Sequence, residues 1–288
     1  MKFLLSIGLT AISVGSLNTI ATVAQTTQTS PQTPQSDPNQ VIPLPLLQAA
    51  PLVQATSKLL GQQSYEIESE VEITSQTKAD IVANAQILTA IAAPNKVNSE
   101  ITFFGEDESS DRTYQIVSNG TQVWIYDLEQ NQYSVSEYKP FVNSETGLAM
   151  GTLANFYLKT LDGVNSNKIA SRALGKLPPD RLLKYFQKFA NIDLQNMAIR
   201  NESVAGKAYA VYDIDAADRT YQSTVYVTPQ GADIERVSIS GKKADLDVVV
   251  TEQIISQAIP ESLAPDIFNF IPPDDAQQVE IQIKLSPF

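Results

Sequence analysis

The sequence predicts a mainly β domain of α+β type, a curved antiparallel sheet or open barrel with helices set between its two halves. Three observations predict it. About ten short segments alternate apolar and polar residues with a period of two, the pattern of strands with one buried face. They fall in two runs, one ending at Glu137 and one resuming after Asp193. Between the runs the apolar period becomes that of an amphipathic helix.

In chain order, Lys2 precedes a short apolar run, residues 3–17, and Thr22-Val23-Ala24 precedes Gln25. This reads residues 1–24 as a secretory signal peptide, because a spanning helix needs about 20 apolar residues. Residues 25–45 are rich in Gln, Thr, Ser and Pro and lack the apolar content to fold, so they read as a tether ahead of a single domain over 46–288. Pro51 suits the first turn of a helix whose stripe is Leu52, Val53, Leu59 and Leu60, with Gly61 as its stop. Tyr65, Ile67, Val71 and Ile73 alternate with Glu66, Glu68, Glu70 and Glu72, a half-buried strand with an acidic outer side. Strands are expected at 81–93, 97–104, 114–117, 122–127 and 132–137, with Asn119-Gly120 as a tight turn. Ala149, Leu153, Phe156, Tyr157 and Leu161 recur at helical spacing, and Pro178-Pro179 opens a second helix carrying Leu182, Leu183, Phe186 and Phe189. Strands then return at 197–204, 209–214, 221–228, 234–240, 246–253 and 279–283. Asp-Arg-Thr-Tyr-Gln occurs at 111–115 and at 218–222, opening a strand each time; the flanks do not align, so it reads as a shared strand-start signal.

Composition removes several functions. The net charge of −12 repels nucleic acid and anionic membrane surfaces. Without cysteine there is no disulfide, thiol nucleophile, zinc–thiolate site or lipid-anchor cysteine, and the mature protein is expected free in the periplasm or secreted. Without histidine there is no Ser–His–Asp triad and no imidazole metal ligand. No nucleophile elbow, phosphate-binding loop or dinucleotide fingerprint is present. No catalytic residue, cofactor or metal is expected. Glu66, Glu68, Glu70 and Glu72 lack the loop pattern of calcium sites and read as a solvated face. Asp107, Glu108, Asp111, Asp162, Asp274 and Asp275 are scattered carboxylates for a glycosidase pair, and loops attract acids without one.

Three stretches carry a family resemblance: residues 93–100 (APNKVNSE) followed by 118–127 (SNGTQVWIYD); residues 204–209 (VAGKAY); and Ile259-Pro260 through residues 268–273 (FNFIPP). In this order the chain resembles the LolA-like superfamily of periplasmic lipoprotein carriers, specifically its poorly characterised relatives rather than the carrier itself. The resemblance implies a half-open antiparallel β-barrel with an N-terminal helix, two inserted helices as a lid, and an apolar cavity for acyl chains. The lipoprotein carriers commonly place an Arg, which helps to control lid closure, two residues after the Lys of the first stretch; here that position is Asn98.

Trp124, Tyr126, Tyr133 and Val135 alternate across one hairpin and can share a face. With Phe103 and Phe268 they are the expected cavity lining, and Leu153, Phe156, Leu182 and Phe186 the expected lid, although ordinary core packing produces the same patterns. The functional expectation is a monomeric, non-catalytic carrier or binder of a lipid or lipoprotein acyl chain. The other reading is an envelope sensor or scaffold that binds a protein through the same fold.

Overall fold

Backbone pairing between the two strand runs organises the molecule. The computed structural model describes residues 48–75, 81–105, 110–144, 146–166, 176–178, 181–182, 197–215, 221–243 and 246–285. The expected signal peptide and tether, the 107–109 part of the acidic loop, and most of the second inserted helix, Phe186 included, lie outside the described residues.

Helix α1 (Ala50–Leu60) has Pro51 in its first turn and ends at Gly61, whose N–H donates to the Ser57 carbonyl at 3.0 Å. The first run follows: β1 (Ser64–Ser75), β2 (Ile81–Ala92), β3 (Lys96–Phe104), β4 (Arg112–Asn119), β5 (Gln122–Asp127) and β6 (Gln132–Glu137). Helix α2 (Tyr138–Val142), a 3-10 turn (Thr146–Met150) and helix α3 (Thr152–Ser166) come between. The second run is β7 (Ala198–Val204), β8 (Lys207–Asp215), β9 (Tyr221–Val227), β10 (Ile234–Lys243) and β11 (Leu246–Ala258). A second 3-10 turn (Pro265–Phe268) precedes β12 (Gln277–Gln278).

All twelve strands form one sheet in the order β12-β6-β5-β4-β3-β2-β1-β11-β10-β9-β8-β7. Every neighbouring pair is antiparallel except β12 with β6. The outermost strands do not pair with each other, so the sheet is open, in agreement with the curved sheet or open barrel expected from two strand runs with helices between them. The two meanders join where β11 pairs with β1, and β1 carries the expected acidic outer side, with Glu66, Glu70 and Glu72 exposed and Tyr65, Ile67 and Val71 buried.

The inner face is a continuous core. Ile91, Val97, Ile116 and Ile125 from the sheet are fully buried with Phe141 of α2 and Tyr157, Leu158 and Leu161 of α3. One expected strand is absent: residues 279–283 do not form a ladder. The chain pairs only at Gln277 and Gln278; beyond them Val279 N–H donates to the Tyr133 carbonyl at 2.9 Å and Ile283 N–H to the Ser134 hydroxyl at 3.0 Å. Helix α2 has no counterpart among the sequence expectations.

Glu252 of β11 points into this core with 1% of its surface exposed. Its carboxylate accepts the Leu153 N–H at 3.0 Å, one of the donors that the first turn of α3 leaves unpaired. Thr152 and the Ser69 hydroxyl add further hydrogen bonds. Gly151 has φ +96°, and a Cβ there would lie 2.5 Å from Glu252 Oε1, so this approach requires glycine. Burial pushes the Glu252 carboxyl above the ordinary carboxylate range, and the hydrogen bonds from Leu153, Ser69 and Thr152 offset part of that.

A raised folded-state pKa means that folding favours the protonated form. The stability from this group is therefore complete below the ordinary carboxylate range and is lost as pH rises through the raised value. In urea unfolding at a series of pH values, the stability of the wild type relative to Glu252→Gln should fall as pH rises from that range towards neutrality. A constant difference would contradict the assignment. Glu252→Ala, which strands the donors of α3 inside the core, should cost about 3 kcal/mol at the acid end of that window and less towards neutrality.

Candidate functional site

The sheet splits between β10 and β11. β10 and β11 pair from Lys243 and Leu246 as far as Arg236 and Gln253, where their ladder stops. Beyond that point β11 continues along β1, through Ser69↔Ile254, Glu68↔Ser256, Ile67↔Gln257 and Glu66↔Ala258. The start of β10 stays with β9 through Ile234↔Val227. Each strand carries an extra residue at the split, Glu235 in β10 and Ile255 in β11. Such bulges bend and twist a strand and re-aim its side chains.

Two glutamines bridge the seam. Gln253 Nε2 donates to the Glu235 carbonyl at 2.9 Å and Gln257 Nε2 to the Ile234 carbonyl at 2.8 Å. Their oxygens accept from Arg236 Nε at 2.8 Å and from the Tyr65 hydroxyl at 2.7 Å. Burial, with Asp233 as the next contributor, pushes the Tyr65 hydroxyl pKa up, so it remains a proton donor throughout the neutral range.

The seam opens into a cleft of about 570 Å³, within the usual range for small-molecule sites. Its floor is Ala55 and Leu59 of α1, Tyr65, Leu153 of α3, Ile234 and Ile254. Ile255 and Ile259 also line it while 51% and 48% exposed. Two ion pairs sit at the rim, Lys58 with Asp233 and Lys207 with Glu235, and the Tyr209 hydroxyl also donates to Glu235 at 2.8 Å. An apolar floor under a charged mouth suits an amphiphile. Among the described residues no group of three or more acidic side chains is placed to hold a metal ion.

The expected cavity and lid residues are not brought together. Leu153 is the one that reaches the cleft. Phe103 packs edge-on against Tyr114 in the core, with ring centroids 6.1 Å apart; Leu182 is fully buried in the same core and Phe156 packs against it. The described part of the inserted helices is thus closed down on the sheet rather than held over a hollow. Phe186 lies outside the described residues.

Trp124, Tyr126 and Tyr133 do share a face, but it is the face turned away from the helices. Their strand neighbours Val123, Ile125 and Ser134 are the buried inner-face residues. The three rings receive Phe270, at centroid distances of 6.2, 5.7 and 5.5 Å. The C-terminal segment therefore crosses the outer face as a strap. Phe268, 1% exposed, is buried beneath it with Lys96 Nζ 6.0 Å from its ring centre. Asn98, on this face as well, donates from Nδ2 to the Ile267 carbonyl at 2.7 Å. The residue that replaces the lid-associated Arg of the resembled family holds the strap here.

A second groove, of about 620 Å³, runs between the β4–β6 edge and residues 279–284. It contains the Arg112–Asp127 ion pair at 2.9 Å and exposed strap residues.

Among the residues that sequence reasoning missed are Gln253, Ile255 and Gln257 of the seam and the rim charges Lys58, Lys207, Asp233 and Glu235. One local signal was present: the adjacent pair Ile254-Ile255 breaks the period of two in β11, as an inserted bulge residue does.

No family model and no curated protein matches the chain. Several solved structures are similar in fold. An uncharacterised conserved protein from Thermus thermophilus is 8% identical with a TM-score of 0.41, covering 81% of this chain and 98% of that one. LprF from Mycobacterium bovis is 13% identical with a TM-score of 0.38, covering 76% and 97%. A LolA superfamily protein from Nitrosomonas europaea is 16% identical with a TM-score of 0.33, covering 77% and 96%. The open sheet with its few helices agrees with the LolA-like half-open barrel, and likenesses of this size carry no argument about what the chain binds.

The chain has one tryptophan, so Trp124 reports the strap directly. Phe270→Ala should shift its emission to the red and cost about 1 kcal/mol, the scale of a lost aromatic pair on a half-covered face. Unchanged emission would mean that the strap does not rest on this face in solution.

Proposed function

We propose that the chain is a non-catalytic carrier or binding protein of the periplasm that holds a lipid, or a lipoprotein acyl chain, in the cleft at the β10–β11 seam. One observation carries the reading: a cleft over a floor of buried apolar side chains, with two isoleucines exposed at its mouth, at the point where two bulges part the sheet. An acyl chain laid on that floor gains about 0.8 kcal/mol per buried methylene, so about twelve methylenes supply roughly 10 kcal/mol before the costs of association. Affinity of that kind needs no reactive group, in keeping with a sequence that has neither histidine nor cysteine. The export signal read in residues 1–24 supplies the compartment.

A second reading, an envelope sensor or scaffold that binds a protein, has one observation in its favour. Residues 254–258 of β11 have no ladder pairing on the β10 side, which offers a short edge to an extended segment.

Native mass spectrometry of protein purified from its own envelope without detergent separates the two. A lipid at near one-to-one ratio is the expected result. A protein partner in its place, with no extractable lipid, supports the second reading. Ile255 is the residue to change, because it lines the cleft while half exposed, whereas Leu153 is buried and a charge there would unfold the core. Ile255→Asp should reduce lipid occupancy at least tenfold while changing stability by no more than about 0.5 kcal/mol. Undiminished occupancy would remove the cleft from consideration.

A further inference from the structure

The mouth of the cleft carries four charges, two of each sign. Lys58 lies on α1 one turn from Ala55 and lines the same cleft. It pairs with Asp233, just before β10. Glu235, the bulge residue of β10, pairs with Lys207 at the start of β8. The four charges sum to zero, whereas the whole molecule carries −12.

We infer that this rim selects a zwitterionic head group, an anionic phosphate joined to an amine, with the phosphate taken by Lys58 and Lys207 and the amine by Asp233 and Glu235. The inference rests on the lipid-binding reading of the cleft and names the class of lipid. Three considerations lead to it. First, the pairs are exchangeable: the lysine side chains are 45% and 54% exposed, and exposed ion pairs of this kind contribute about 0–1 kcal/mol each, so replacing either partner with a head-group charge costs little. Second, a purely anionic head meets two carboxylates at the mouth and the repulsive field of the whole protein. Third, a purely cationic head gains from that field but meets two ammonium groups and leaves them without their carboxylates. A head with both signs satisfies all four groups at once. The Tyr209 hydroxyl, bonded to Glu235, holds that carboxylate at the mouth.

The test uses the delipidated full chain. Uptake from vesicles of phosphatidylethanolamine, of phosphatidylglycerol and of a diacyl quaternary-ammonium lipid is measured by native mass spectrometry. The wild type should take phosphatidylethanolamine at least tenfold over either of the others. Asp233→Lys with Glu235→Lys leaves four cations at the mouth and should reverse the preference to phosphatidylglycerol by at least tenfold. The single change Lys207→Glu, at a half-exposed site, should lower phosphatidylethanolamine uptake at least threefold and guards against misfolding of the double variant. Equal uptake of all three lipids, or a preference that the substitutions leave unmoved, overturns the head-group assignment while the lipid reading stands. Uptake of none of the three overturns both.

Discussion

The buried Glu252 carboxylate is the contact on which the rest of the arrangement depends. It reaches from the central strand β11 to the first turn of α3 and accepts the Leu153 N–H. That bond fixes where α3 starts, and so places Tyr157, Leu158 and Leu161 against the inner face of the sheet. It also places Leu153 in the floor of the cleft. The next residue along β11, Gln253, turns to the other side and forms the first bridge across the seam. A single dipeptide thus closes the core beneath the helices and marks where the sheet comes apart. A buried carboxylate is costly unless its hydrogen bonds are met. Here they are met by Thr152 and Leu153 of α3 and by Ser69 of β1, so sheet and helix stabilise each other.

The location of the opening follows from this. Among the described residues the large side chains under α2 and α3 are fully buried in the core. Space appears instead where β11 must stay with β1 while β10 stays with β9. The twist of a wide sheet is relieved at that seam by one bulge in each strand, and two glutamine amides satisfy the carbonyls that the ladder abandons. The opposite face is closed by other means: the strap lays Phe270 on Trp124, Tyr126 and Tyr133, and Asn98 holds its backbone.

Much of this was legible in the residues. The alternation in β1, the turn at Asn119-Gly120, Pro51 at the start of α1 and the helical spacing of Leu153, Tyr157 and Leu161 each describe a local fact, and each element is present. The hairpin aromatics were correctly read as sharing a face. Which face the helices cover, however, is decided by contacts across more than a hundred positions, such as Phe270 on Trp124, and period-two spacing is silent on it. The strand expected at 279–283 failed for a related reason. Its apolar alternation is real, but the edge it meets on β6 pairs for two residues only. The cleft itself was least legible, because a split between strands is a property of three pairings together. Its local trace was the Ile254-Ile255 doublet.

Hydrogen–deuterium exchange of the apo and phosphatidylethanolamine-loaded protein tests the central claim most directly. If the seam is the site, those amides of residues 254–259 that lie on the β10 side, outside the β1 ladder, exchange rapidly in the apo protein and slow at least tenfold on loading, with the α3 core unchanged. Protection confined to residues 264–285, or to the core beneath α3, would place the ligand elsewhere and contradict the account.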